Sequence, residues 1–293
     1  MWARISLKAK NYMDSYEISF NPRAAVPEFE SYELQRQADN LQALSARTDA
    51  DVAYGDHPRR RLDIYRAANN PHGDVHVFFH GGYWRAGDKQ SYAYLAKALT
   101  DRGVTVVVPN YELCGPSRFE DVADSALAAF RWVLQHIADY GGSPGRITIS
   151  GHSAGAYLCA LLHASDWHAQ GFKDCDILGS ILISGIYDPT KAIGTSVNQE
   201  LGFTAGTARA FDLSQKPWSA IGPSYVVVGL VEPAEWIAMS RDYFRDVVQH
   251  SSPAGRYEPL PGHNHFSILN EYVPGGRLHT EIVQYHQRAP LRG

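Results

Sequence analysis

Three separated stretches of this chain carry side chains able to act together on a carbonyl group. The first is GHSAG, Gly151 to Gly155, where Ser153 stands between glycines at the joint of a β-prone run (Ile147, Ile149) and a run of helix formers (Ala154, Ala156, Leu158, Ala160, Leu161). A residue there must take an uncomfortable φ/ψ, and the glycines keep side chains out of a tight strand-to-helix crossing. A serine hydroxyl is protonated at neutral pH, so Ser153 becomes a nucleophile only with a base beside it and a third group to orient that base.

Those partners are expected later in the chain, in the order serine, acid, histidine, because active-site loops of such a sheet leave the carboxyl ends of its strands. VVVGLVEPAEW supplies Glu232 just beyond a strand end, while Glu235 and Asp242 fall on the helix that follows. PLPGHNHFSIL supplies His263 and His265 in one loop, where Pro259, Pro261 and Gly262 suit a turn. Spacing alone does not choose between the two histidines. Upstream, HGGYW (His80 to Trp84) follows a strand, and its glycines allow backbone N–H groups to approach a substrate. The N–H groups of Gly82 and Tyr83, with that of Ala154, are the candidate oxyanion donors; Gly81, Trp84 and Tyr157 are candidate substrate contacts, and His80 is read as a buttress of the loop.

Elements must position these groups. Phe29 to Arg47 carries Leu34, Ala38, Leu41 and Leu44 at helical spacing, which predicts an amphipathic helix packed on the main body. RLDIY (61–65) reads as an edge strand, and VHVFF (75–79), VTVVVP (104–109), GRITIS (145–150), GSILIS (179–184) and SYVVVG (224–229) as buried strands. Helices are expected at 92–101, 119–140, 154–162, 242–250 and 278–287. The alternation predicts an α/β fold, a mostly parallel sheet covered on both faces. One domain is expected over 1–293, with 1–50 an N-terminal extension and 188–219 a cap-like insertion that shapes the substrate pocket. Met13 is a possible natural start, which would make the first twelve residues an extension.

The 293 residues are 44% hydrophobic and 20% charged, enough apolar material for a large core. The net charge of −4 and scattered basic residues argue against a nucleic-acid partner, and Arg59-Arg60-Arg61 reads as a solvated turn. Cys114, Cys159 and Cys175 have neither metal spacing nor an even count for disulfides, and the N-terminus lacks a signal-peptide core. The expectation is a cytoplasmic protein with no membrane span, metal or cofactor, acting on a small ester or amide, with a homodimer left open.

In their order, FFHGGYWRAGDK, NYELC, ISGHSAGAYL, GLVEPAEW and GHNHFS resemble the successive blocks of the α/β-hydrolase superfamily, and within it the arylformamidase-like branch and related carboxylesterases. The resemblance runs from about residue 63 to 270 and implies an α/β-hydrolase fold and serine hydrolysis without a cofactor. It implies Glu232 as the acid, with glutamate where the branch usually has aspartate, and His265, which precedes Phe266 and Ser267, as the base rather than His263. The activity so implied is arylformamidase, with a short-chain carboxylesterase as the neighbour reading. A non-catalytic binding relative is the alternative from another class.

Overall fold

The structure, a computed structural model, describes residues 14–172, 177–219, 222–252 and 254–290. Its strands are β1 (Asp49–Ala53), β2 (Arg61–Tyr65), β3 (Val75–Phe79), β4 (Thr105–Pro109), β5 (Ile147–His152), β6 (Ile177–Ile183), β7 (Ser224–Gly229) and β8 (Arg256–Leu260). They form one sheet in the order β1-β2-β4-β3-β5-β6-β7-β8. From β4 through β8 the neighbours are parallel, whereas β2 pairs antiparallel with β1 and with β4. The principal helices are α1 (Phe29–Ser45), α2 (Tyr94–Thr100), α3 (Phe119–His136), α4 (Ala154–His163), α5 (Ala234–Tyr243) and α6 (Arg277–Arg288).

The two-residue period of the strands sorts side chains onto two cores. Val75, Val77 and Phe79 of β3 face the cluster built with α3, α4 and α5, while Phe78 faces the one built with α2 and α6. Because both faces are covered, β3, β4 and β5 are buried at every position, as apolar parallel strands should be. Helix α4 lies in the middle of the first core with all ten residues buried. It can approach the sheet only because of its glycines. A Cβ on Gly155 would lie 2.0 Å from the Phe79 carbonyl oxygen, and one on Gly151 would lie 2.2 Å from the Gly155 carbonyl oxygen.

The mostly parallel, doubly covered sheet agrees with the expectation, and its details correct it in four places. RLDIY is not an edge strand: β1 pairs outside it, and Asp63 is buried, held by Arg47 at 2.7 Å and Lys89 Nζ at 2.8 Å. Asp63 lies on a face that is covered rather than wet, so its charge had to be paired. The arginine triplet is no solvated turn either. Arg59 donates to the carbonyls of Tyr111 and Gly87, Arg60 pairs with Glu112 and Asp124, and Arg61 donates to the Gly55 carbonyl.

Helix α1 packs on α2, but the face it turns inward is the polar one. Leu34 and Leu41 are 68% and 63% exposed, whereas Arg36 is 9% exposed and Ala43 is buried. Asn40 makes the contact, accepting the N–H of Tyr94 and donating to the Ser91 carbonyl. The helix expected at 242–250 is instead the tail of a longer helical run that begins with α5, passes through a π-helical turn at Phe244–Val248 and ends at Gln249–Ser251. Cys114 and Cys159 are buried free thiols; Cys175 lies outside the described residues. Among the described residues, no helix is long and apolar enough to cross a membrane.

Candidate active site

Ser153 occupies the single residue between β5 and α4, with φ 56° and ψ −116°, a backbone region that costs about 1–3 kcal/mol for a residue with a side chain. Its N–H donates to the Ile183 carbonyl at 2.8 Å, which fixes the turn to the neighbouring strand. The strain aims the serine side chain away from the sheet, into a cavity of about 610 Å³ whose lining includes Ser153, His152, His265, Gly81, Gly82 and Tyr83. Ligand sites commonly have volumes of about 300–1,000 Å³.

Glu232 and His265 meet beside this turn. Oε2 of Glu232 accepts from Nδ1 of His265 at 2.6 Å, and both side chains are almost wholly buried. The other oxygen of Glu232 accepts the hydroxyl of Ser184 at 2.5 Å and the N–H of Gly229 at 2.8 Å. A carboxylate with three donors is fixed in position, and it places the histidine's second nitrogen, Nε2, as the one left for chemistry. Trp236 completes the seat: its ring packs edge-on against His265 at 4.9 Å, and its Nε1 donates to the Ser184 carbonyl at 2.8 Å. The alternatives lie apart. Glu235 is exposed on the first turn of α5, Asp242 is near the end of that helix, and His263 pairs with Glu271 at 3.1 Å outside the cavity wall.

The HGGYW loop closes over the serine. A Cβ on Gly81 would stand 3.4 Å from Cβ of Ser153, and Gly82 has φ +122° with its missing Cβ only 2.1 Å from the Ala86 carbonyl oxygen. Tyr83 and Trp84 also take positive φ, 54° and 55°. Among the described residues, none offers an acceptor to the N–H groups of Gly82 and Tyr83. The N–H of Ala154 opens α4, where a helix leaves its first donors unpaired and its dipole favours negative charge. His80 is wholly buried and stacked on Tyr111 at 4.3 Å; burial lowers its pKa to about 4, so it braces the loop as a neutral ring.

Trp84 and Tyr157, read from sequence as substrate contacts, are fully buried behind the site and do not line the cavity. Trp84 donates to the Ala154 carbonyl at 3.1 Å and packs edge-on against Phe119 and Tyr157, so both rings hold the turn from inside. Gly81 does line the cavity. The roof also differs from expectation. Residues 21–40 supply most of the outer wall, and from 188–219 only Val197 reaches it. Tyr83 ties that roof down by donating from its hydroxyl to the Phe20 carbonyl at 2.9 Å.

Sequence reasoning missed His152, Ser184 and Trp236. His152 is 3% exposed, and its Nε2 must donate to the His265 carbonyl at 2.7 Å. Burial holds the ring well below the usual histidine pKa, so it is neutral, and its Nδ1 is an acceptor without a partner in the cavity wall. The signal for it was its place between Gly151 and the serine. Ser184 carries no sequence signal, since it meets the acid only because β6 and β7 lie side by side, and Trp236 stands in GLVEPAEW with no spacing that assigns it a task. Among the described residues, no three His, Cys, Asp or Glu side chains form a metal-ligand group.

A sheet with one antiparallel end, a strained serine turn after its fifth strand and a buried acid–histidine pair after the last strands are features of the α/β-hydrolase fold. A family profile described as alpha/beta hydrolase fold matches residues 76–219. The chain is 27% identical to a kynurenine formamidase of Danio rerio over 92% of this chain and 94% of that one. It is 28% identical to a kynurenine formamidase of Salmo salar over 81% of each. The crystal structure of a candidate thioesterase from Silicibacter sp. TM1040 superposes with a TM-score of 0.79 at 23% identity, covering 91% of this chain and 98% of that one, and supports the fold. The chain is thus a hydrolase of the α/β-hydrolase class, similar to the kynurenine formamidases and carboxylesterases within it.

Proposed function

We propose that this hydrolase acts without a cofactor through an acyl-enzyme on Ser153, with His265 as base and acid and Glu232 holding the imidazolium. The observation that carries the reading is the buried Glu232–His265 bond of 2.6 Å at a cavity shared with Ser153. As Ser153 Oγ bonds to the carbonyl carbon, its proton passes to Nε2 of His265, and the developing oxyanion takes the N–H groups of Gly82, Tyr83 and Ala154. Each such donor contributes roughly 3–4 kcal/mol to lowering the barrier. The C–N or C–O bond then breaks with that proton delivered to the leaving amine or alcohol, and water, deprotonated by His265, releases the acid and restores the serine.

An aryl formamide such as N-formylkynurenine is the first candidate substrate and a short-acyl ester the second. The order is supported by the two formamidase relatives, which match over most of their length. It is supported also by the close approach of Gly81 to Ser153, which suits a small acyl group. The whole chain is read as one catalytic domain in a cytoplasmic setting. Steady-state hydrolysis of N-formylkynurenine and p-nitrophenyl acetate, with Ser153→Ala as control, tests this. Turnover of the formamide with the higher kcat/KM, lost in the variant, is expected. Fast ester cleavage with negligible formamide cleavage would select the esterase, and turnover indifferent to Ser153 would overturn the mechanism.

A further inference from the structure

Arg36 reaches from α1 into the cavity wall, yet it is 9% exposed and pairs with no carboxylate among the described residues. Its Nη2 donates to the Phe266 carbonyl at 2.6 Å and to Asn270 Oδ1 at 2.8 Å, both neutral acceptors, and its Nε is buried without a partner. The Tyr94 ring lies 5.4 Å from the guanidinium. A nearly buried cation is costly unless an anion meets it, and a guanidinium is built to receive a carboxylate. The other charges in the wall do not serve it. Glu30, Glu33 and Arg23 are exposed at the mouth, and Arg85 is taken by Glu200.

We infer that Arg36 is an anion subsite that receives a carboxylate on the leaving-group part of the substrate, one loop away from His265. This rests on the acyl-transfer reading of the cavity and narrows it to substrates whose leaving amine or alcohol carries an acid. The position makes sense chemically, because Arg36 holds the carbonyl of Phe266, the residue after His265, so the same side chain orients the base loop and the substrate. The exposed Glu30 and Glu33 at the mouth would meet an ammonium carried by the same molecule.

The test has a binding arm and a kinetic arm. Calorimetry of Ser153→Ala with 3-phenylpropanoate against 3-phenylpropanamide reads the subsite without turnover. The carboxylate should bind about 10- to 100-fold more tightly, the range for a hydrogen-bonded charge, and the preference should vanish when Arg36→Gln is added and partly return with Arg36→Lys. Equal binding of acid and amide, or a preference that survives Arg36→Gln, overturns the assignment. In the kinetic arm, the ratio of kcat/KM for N-formylkynurenine over its α-carboxamide should collapse by a similar factor in Arg36→Gln. Ser153-dependent turnover with a ratio near one refutes the subsite and leaves the hydrolase reading standing. Absent turnover refutes that reading, while the binding arm still decides Arg36.

Discussion

Ser184 offers the sharpest test of how the acid is held, because its hydroxyl and its backbone perform separate tasks. Its hydroxyl donates to Glu232 at 2.5 Å, its N–H donates to the Val227 carbonyl at 2.8 Å, and its carbonyl accepts from Trp236 at 2.8 Å. Its φ is +48°, in the left-handed region. Ser184→Ala removes a charge-assisted hydrogen bond worth about 1.5–3 kcal/mol and keeps a left-handed strain of about 1–2 kcal/mol. Ser184→Gly removes the same bond and the strain, but loosens the unfolded chain at a cost of about 0.5–1 kcal/mol.

Alanine should therefore lower stability by about 2 kcal/mol, and glycine by about 0.5–1 kcal/mol less, because relief of strain outweighs the added chain entropy. The activity of the two should fall together. If about half of the lost bond energy, about 1 kcal/mol, is expressed when His265 becomes charged, kcat/KM drops roughly fivefold in each. Urea unfolding and p-nitrophenyl acetate kinetics measure both quantities. An Ala variant with wild-type turnover would show that the Ser184 bond does not support the acid. A Gly variant less stable than the Ala variant would refute the strain argument.

Two further outcomes concern the stability of the fold. His76, His80 and His152 are buried with pKa values held down chiefly by burial, His80 to about 4 from 6.5. The unfolded chain therefore binds protons that the folded chain refuses. Stability should be full above pH 6.5 and fall as pH drops below it, by up to about 1.4 kcal/mol per pH unit for each histidine. Urea midpoints at pH 7, 6 and 5 check this, and a flat profile would contradict the burial argument. In the β2 network, Asp63→Ala takes the buried carboxylate from both Lys89 and Arg47, leaving Lys89 the exposed Asp51 at 2.7 Å, and should cost up to about 3–5 kcal/mol. Lys89→Met should cost less, because Asp63 keeps Arg47 at 2.7 Å. Thermal melts of both variants decide the order, and the reverse order would mean that Lys89 rather than Asp63 anchors the cluster.

Much of the site was legible because its chemistry is local in sequence. GHSAG states its turn through two glycines whose Cβ atoms the fold has no room for, and HGGYW states its loop in the same way. The acid was placed by the strand end it follows, and the histidine by its later place in the chain. The strands β1 and β8 were not. DADVA has no apolar run, and RYEPL contains Pro259, which an edge strand accommodates because one side of its ladder is unpaired. The tasks of Ser184 and Trp236 were invisible because hydrogen bonds between residues 48 and 52 positions apart leave no spacing in the chain.

Helix α1 shows why a periodic pattern does not reveal direction. The spacing of Leu34, Ala38 and Leu41 correctly marks a helix with two unlike faces, and burial of the apolar face is the ordinary outcome. Here the inner face covers a cavity that also holds Ser153 and His265, and such a cavity needs polar walls where substrate and water must enter. The polar stripe of Arg36 and Asn40 therefore turns inward, tied to Phe266, Asn270, Ser91 and Tyr94, while Leu44 alone of the four apolar positions packs against the core. A buried arginine on a helix whose Leu34 and Leu41 face solvent inverts the usual burial rule. Its energetic cost is recovered when the cavity receives a negatively charged group, which places the reason for the inversion in the function of the site rather than in the stability of the fold.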